Sequence, residues 1–174
     1  ERVYPGINRN SLKLWILEKF AIIYLTEKNF LLAEECYREI LKLKPGYSVA
    51  VINLAKVYRL SERHDEKAID ILKRAFDLDS NDASLVTYLA RALRTEGFKD
   101  EQSIKVYRSA FKIDPSDQKN GMYLKNLFLL RDETSDGLAL EVYNYFLPVE
   151  ESKGELFFHR GLIWKFQGKW EKAI

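Results

Sequence analysis

Apolar residues recur at steps of three and four along most of the chain, with charged or polar residues between them. In the stretch after Asp65, for example, Ala68, Ile69, Leu72 and Phe76 form one apolar stripe on a helix. Asp65 is a candidate N-cap for that helix, because its carboxylate can accept hydrogen bonds from the first unpaired N–H groups. The pattern predicts an all-α chain of amphipathic helices.

Two sequence markers repeat along the chain with nearly the same period. One is a small residue within an apolar stretch, and it occurs every 34 to 36 residues at Ala33, Ala68, Ser103, Ala139 and Ala173. The other follows the end of an apolar run, and it occurs every 35 residues at Pro45, Ser80 and Pro115. A period of about 34 residues is typical of a helix–turn–helix repeat. The small residues predict close packing between the two helices of each repeat.

The residues at these offsets resemble the tetratricopeptide repeat family. The pattern of this family consists of a large residue, a Leu-Gly or Leu-Ala pair, aromatic residues, alanines and a proline. The first repeat supplies Leu17, Phe20, Ala21, Tyr24, Ala33, Tyr37, Ile40 and Pro45 at these positions. The next two repeats carry the pair as Leu54-Ala55 and Leu89-Ala90. The resemblance implies a right-handed α-solenoid of antiparallel helix pairs.

The predicted organisation is an N-terminal extension at residues 1–10 and a single repeat array at residues 11–174. The repeats are expected at about 14–47, 48–82, 83–117, 119–150 (degenerate) and 154–174 (truncated). A solenoid normally ends in a polar capping helix, but the last repeat carries Trp164 and Trp170. We therefore expect that the natural protein continues, or that this end docks on another chain or on a second copy.

Composition and chemistry favour a globular, non-catalytic protein. Apolar residues make up 47% and charged residues 31% of the chain, which is typical of globular proteins. No apolar run approaches the roughly 18 residues of a membrane span. The single cysteine, Cys36, excludes an internal disulfide framework and favours a cytoplasmic or nuclear location. We expect no enzyme activity, no cofactor and no metal, and we expect Glu34, Glu35 and Glu39 to form an ordinary solvated helix face.

The resemblance implies that the first helix of each repeat lines a concave groove. Bases lie on those helices, whereas acids concentrate on the second helices and in the turns. A basic groove favours an acidic partner. The candidate partner-binding residues are Asn53, Lys56, Arg59, Tyr88, Arg91, Arg94, Lys125 and His159. Tyr88 and His159 are the candidates for stacking.

One family-specific partner is not predicted. Members that bind chaperone tails grip a terminal carboxylate with Lys or Asn, Asn, and Lys or Arg on three successive first helices. Asn53 matches the middle position, but Glu18 and Ile22 stand before it and Ser84 and Tyr88 after it. Two functions remain open, a protein-interaction scaffold for an acidic or extended segment, and binding of RNA or single-stranded nucleic acid through the bases. The net charge of +2 disfavours the second, because nucleic-acid domains are usually strongly basic.

Overall fold

The structure is a computed structural model that describes residues 9–131, 137–148 and 153–173. Within these ranges it contains helices and no strand, so the predicted all-α class is confirmed. The helices are α1 (Arg9–Thr26), α2 (Phe30–Leu43), α3 (Ser48–Leu60), α4 (Glu66–Leu78), α5 (Ala83–Thr95), α6 (Glu101–Ile113), α7 (Gln118–Leu130), α8 (Gly137–Phe146), α9 (Gly154–Phe166) and α10 (Trp170–Ala173).

The chain divides into two compact units, Glu1–Leu93 and Arg94–Ile174. In the first unit α1 packs on α2, α2 on α3 and α3 on α4. In the second unit α6 packs on α7, and each helix from α7 to α9 packs on the next. Within each unit, these helices therefore pack mainly against their neighbours in the chain, as in repeat proteins.

Four of the five periodic small residues lie inside the core of these helix pairs. Ala33, Ala68, Ser103 and Ala139 are all fully buried, whereas Ala173 is half-buried. A larger side chain at these places would push the two helices of a pair apart, which explains why the marker is small. The second marker falls two residues after the helix ends, at Pro45, Ser80 and Pro115, where a proline or a polar residue stops the helix.

Local hydrogen bonds fix where several second helices begin. The Asn29 side chain accepts from the N–H of Leu32 at the start of α2. The Asp100 carboxylate accepts from the backbone N–H and the hydroxyl of Ser103, at 3.0 and 2.7 Å. Asp65 caps α4 in the same way, as the sequence predicts. These caps depend only on residues three positions away, so the sequence specifies them.

The cap at Asp65 makes part of the stability of the first unit dependent on pH. Its carboxylate accepts from Arg63 at 2.7 and 2.9 Å and from the N–H of Ala68 at 3.3 Å. Burial raises the pKa of Asp65, but these hydrogen bonds outweigh burial and hold the pKa below its ordinary value. The ionised group therefore stabilises the folded state above the unfolded-state pKa of about 3.9. That contribution is lost as the pH falls through the lower folded-state pKa.

We expect Asp65→Asn to reveal this dependence, because asparagine keeps the cap and removes the charge. The wild-type chain should be more stable than the variant at pH 7, and the difference should shrink as the pH falls below about 4. Urea midpoints measured between pH 7 and pH 3 test this. Asp70→Asn, at an exposed position of the same helix, is the matched control for the replacement of an aspartate by asparagine. A difference in stability between the wild-type chain and Asp65→Asn that does not change with pH would contradict the prediction.

Glu34 does not lie on a solvated face, so that expectation is wrong for this residue. Its side chain is mostly buried, whereas the neighbouring Glu35 is exposed. The carboxylate accepts from Arg38 at 2.8 Å and from the Tyr58 hydroxyl at 3.0 Å, and it pairs with Arg63. Tyr58 and Arg63 belong to α3 and the turn after it, so a packing neighbour supplies the partners that make burial of the charge tolerable.

Candidate partner-binding surface

Three of the predicted basic residues lie on α3 and α5, each of which is the first helix of its repeat. Lys56 on α3 and Arg91 on α5 are exposed, and Arg59 on α3 is half-buried. Neither α3 nor α5 contains an acidic residue. These helices therefore present positive charge without an acidic residue of their own to neutralise it.

Tyr88 is buried and does not offer its ring as a stacking platform. Its hydroxyl donates to the backbone carbonyl of Arg63 at 2.9 Å and lies 3.4 Å from the carbonyl of Tyr58. These contacts attach α5 to the end of α3 and the turn that follows it. The guanidinium of Arg91 lies 5.2 Å from the ring centroid, on the helix that carries Tyr88. The Tyr88 hydroxyl is therefore used in packing α5 against α3, and its ring lies near Arg91.

Arg59 and Arg91 both influence the hydroxyl of Tyr88. Burial raises the pKa of Tyr88, and Arg91 and Arg59 both oppose this rise by favouring the ionised phenol. Two charges that act on one hydroxyl lie in one neighbourhood, although they are 32 positions apart in the sequence. Glu62 and Asp65 act on the same hydroxyl in the opposite direction, so acidic groups border this neighbourhood.

Asn53 lines a cavity that the sequence did not indicate. The cavity has a volume of about 180 Å³ and lies between α1, α2 and α3, and we call it the α1–α3 cavity. Glu18 and Lys19 of α1 and Tyr37 of α2 also line it. A hydrogen bond with Glu18 raises the pKa of Tyr47, which stands at the same cavity. The lining residues come from three helices and extend from Glu18 to Asn53, so no local sequence signal could have identified the pocket.

In the second unit, two predicted site residues are largely buried. Lys125 is 6% exposed, and its ammonium group lies 5.7 Å from the ring centroid of Phe146. His159 is 8% exposed and lies between the rings of Tyr143 and Phe158, at 6.2 and 5.5 Å between centroids. Both side chains contact aromatic rings inside the unit, so helical phase alone did not determine their exposure.

The charge pattern of the second unit differs from that of the first. Arg94, at the end of α5, is half-buried. Helix α6 is the second helix of its repeat. It carries one acidic residue, Glu101, and three basic residues, Lys105, Arg108 and Lys112. The separation of bases on first helices from acids on second helices therefore does not hold for α6. The exposed candidates that fit the predicted separation are those of α3 and α5.

The last helices expose several aromatic side chains. Phe157, Phe158 and Phe166 are 49%, 63% and 72% exposed. Trp164 is half-buried, and the guanidinium of Arg160 lies 4.6 Å from its ring centroid. The side chain of Trp170 lies outside the described residues. This surface is more apolar than the capping helix that usually ends a solenoid.

The described ranges contain no group of three or more His, Cys, Asp or Glu side chains arranged to hold a metal ion. None of the described helices is long and apolar enough to cross a membrane. Cys36 is half-buried, and burial, followed by the nearby Glu35, raises the pKa of its thiol.

Comparison with known proteins agrees with the repeat pattern. Residues 16–47 match the family model described as a tetratricopeptide repeat. The sequence has no match among curated proteins. The fold is similar to the crystal structure of MamA protein, with a TM-score of 0.50 and 20% identity over 92% of this chain and 86% of that one.

Two further solved structures are similar at lower scores. One is YrrB, described as a TPR protein with an unusual peptide-binding site, at a TM-score of 0.49 and 16% identity over 91% of this chain and 79% of that one. The other is a tetratricopeptide repeat protein from Parabacteroides merdae, at a TM-score of 0.48 and 14% identity over 93% of this chain and 63% of that one. The family match and the likeness to MamA protein confirm the predicted class, an α-solenoid of antiparallel helix pairs.

Proposed function

We propose that this chain, which is built on the tetratricopeptide repeat, is a non-catalytic scaffold that binds an acidic or extended segment of a partner protein. The repeat implies a protein-interaction scaffold, and proteins built from it are generally non-catalytic. The finer proposal places the partner segment on the exposed side of α3 and α5, where Lys56, Arg59 and Arg91 lie. This form of the proposal assigns no contact with the partner segment to Tyr88, Lys125 or His159.

The observation that supports the acidic partner is that Arg59 of α3 and Arg91 of α5 both act electrostatically on the Tyr88 hydroxyl. Side chains of two different helices then act on one ligand group, and a carboxylate suits the planar guanidinium of arginine. Lys56, one turn before Arg59, adds a further exposed charge. Positive charge of this kind also accelerates the arrival of an acidic partner.

The test uses Arg59→Glu/Arg91→Glu, with folding checked by circular dichroism. We expect the double variant to lose a protein that the wild-type chain captures from cell extract, with affinity reduced at least about tenfold. The matched control is Lys28→Glu/Lys67→Glu, which makes the same charge change at exposed positions outside α3 and α5. Identical captured proteins for all three chains would contradict the proposal.

Nucleic acid is the alternative occupant of the same bases. Binding to phosphates releases counterions, so affinity should fall by about 0.7 log units per log unit of salt for each single-strand phosphate neutralised. An interaction with an acidic protein segment depends less steeply on salt when few charges are involved. If RNase treatment removes the difference between the wild-type chain and the arginine variant, the partner is nucleic acid.

Two further parts of the proposal concern location and assembly. An intracellular location, in the cytoplasm or the nucleus, fits a chain whose single cysteine, Cys36, is free. The exposed aromatic surface around Phe158 and Phe166 provides a second contact region, for another chain or another copy. Sedimentation of the wild-type chain and of Phe166→Ser over a range of concentrations would test self-association.

A further inference from the structure

Helix α1 carries an apolar stripe that is exposed on the first unit. Ile16, Phe20 and Ile23, which we call the α1 stripe, are 38%, 48% and 47% exposed. They recur at steps of four and three residues, so they lie on one face of the helix. Leu12, one turn before Ile16, is exposed as well and extends this face. A contiguous exposed surface of large apolar side chains indicates a region of contact with another molecule.

The same three positions are buried in the next two first helices. A shift of 34 residues, the distance from Ala21 to Ala55, relates α1 to α3. The positions of α3 that are equivalent to the α1 stripe are each 1% exposed, and they are Ala50, Leu54 and Val57. The equivalent positions of α5, a further 35 residues along, are at most 6% exposed, and they are Leu85, Leu89 and Ala92. Exposure at these positions is therefore particular to α1.

The packing of α3 indicates what kind of element covers these positions. Helix α1 packs on α2, just as α3 packs on α4 within its own repeat. Helix α3 also packs on α2, the second helix of the preceding repeat, whereas no helix precedes α1 among the described residues. The positions that are buried in α3 and exposed in α1 are therefore those that a preceding second helix covers. The α1 stripe is thus a face on which one more amphipathic helix can pack.

The side chains of α1 restrict the chemistry of that helix. Each residue of the α1 stripe is larger than the residue at the equivalent position of α3, so a covering helix can approach closely only if its own facing residues are small. Arg9 and Lys19, which border this face at helical spacing, are exposed, and the single acidic residue of α1, Glu18, is half-buried. Acidic residues beside the apolar stripe of the covering helix complement these charges.

We propose that the α1 stripe binds an amphipathic helix of a partner protein, with small residues along its apolar face and acidic residues at the border of that face. The bound helix packs on α1 as α2 packs on α3, and it buries Ile16, Phe20 and Ile23. This surface is separate from the basic residues of α3 and α5, so the inference does not rest on the proposed function.

The probe for this site is a synthetic peptide with the sequence of residues 65–79, which comprise α4 and its two caps. This sequence has the required chemistry, because its apolar stripe includes Ala68 and Ala75 and its acidic residues outnumber its basic ones. Fluorescence anisotropy of the labelled peptide measures binding, and circular dichroism measures the helix that it gains. We expect the wild-type chain to bind this peptide at least about tenfold more tightly than a scrambled peptide of the same composition, with a gain of helix only for the former.

Phe20→Gln/Ile23→Gln should weaken binding of the peptide at least about tenfold, because it removes two side chains that the bound helix buries. Both residues are about half exposed in the free chain, and circular dichroism checks that the variant is folded. If this variant melts below the wild-type chain, Ile16→Gln takes its place with the same expected direction. The matched control is Leu31→Gln/Leu78→Gln, which replaces two exposed leucines of α2 and α4 and should bind the peptide as the wild-type chain does.

Equal binding of the ordered and the scrambled peptide, or binding that survives the changes in the α1 stripe, would overturn the proposal. Two other occupants of the stripe are further outcomes. A dimer that forms with increasing concentration and is lost in Phe20→Gln/Ile23→Gln would assign the stripe to a second copy of this chain. Co-sedimentation with phosphatidylserine vesicles that is lost in the same variant, without binding of the peptide, would assign it to a membrane surface. Either result would also overturn the assignment to a partner helix.

Discussion

Ala68→Glu is expected to abolish cooperative unfolding of the first unit, or to lower its free energy of unfolding by about 4 kcal/mol or more. Ala68 is fully buried in α4, a helix that packs on α3. A glutamate there would either bury a charge without a partner or force the two helices apart. Because each repeat depends on its neighbours, the loss should extend to α3 and α2.

Local helix preferences favour glutamate at position 68, whereas packing disfavours it. The substitution therefore separates the local effect from the packing effect. Ala68 occupies the third position after the cap Asp65, where glutamate commonly completes a capping box. Local structure would therefore favour the variant by a few tenths of a kcal/mol, whereas packing opposes it by several. Thermal and urea unfolding followed by circular dichroism measure which effect is larger.

Lys67→Glu is the matched control for Ala68→Glu. It introduces the same side chain one position earlier, at an exposed site in the first turn of α4. A negative charge near a helix N-terminus is favourable, so the melting temperature should stay close to that of the wild-type chain. If Ala68→Glu melts like this control, the assignment of Ala68 to the packed interface between α3 and α4 is wrong.

Glu34→Ala is expected to lower the free energy of unfolding of the first unit by about 2 kcal/mol. The substitution leaves the guanidinium groups of Arg38 and Arg63 and the hydroxyl of Tyr58 without their shared acceptor. The cost of breaking a fully buried ion pair is about 3–5 kcal/mol. Both arginine side chains are 38% exposed, so solvent screens the charges and reduces the loss.

A double-mutant cycle identifies the contact responsible for this loss. Glu34→Ala and Arg63→Ala should together cost less than the sum of the two single variants, with a coupling of about 1 kcal/mol. Glu35→Ala, the exposed neighbour on α2, is the control and should change stability by less than about 0.5 kcal/mol. Strict additivity of Glu34→Ala and Arg63→Ala would show that the pair contributes nothing to stability.

The sequence was sufficient wherever structure depends on a few adjacent residues. The apolar stripe after Asp65 predicted a helix, and α4 extends from Glu66 to Leu78 with Asp65 as its cap. The periodic small residues predicted close helix packing, and Ala33 and Ser103 are fully buried. These features follow from helical periodicity and from hydrogen bonds over three or four positions, which a single sequence displays directly.

The candidate surface was only partly predictable, because exposure depends on what packs against a helix. The phase of Arg91 on its helix indicated an exposed base, and it is exposed. Tyr88 and His159 were expected to be open to a partner, yet Tyr88 donates its hydrogen bond to the carbonyl of Arg63 and His159 lies between two aromatic rings. Arg63 and Tyr143 lie 25 and 16 positions before the residues that they contact, so the neighbouring sequence does not mark these two contacts.

By itself the sequence determined that this protein is a chain of paired helices with buried small residues at a regular period. Only the tertiary structure decided that Glu34 is a buried acceptor, that Arg59 and Arg91 both act electrostatically on Tyr88, and that Tyr37 lines a cavity. The physical reason is distance along the chain: Glu34 and Arg63 are 29 positions apart. Helical periodicity relates residues within one or two turns, whereas contacts of this range exist only once neighbouring repeats have packed.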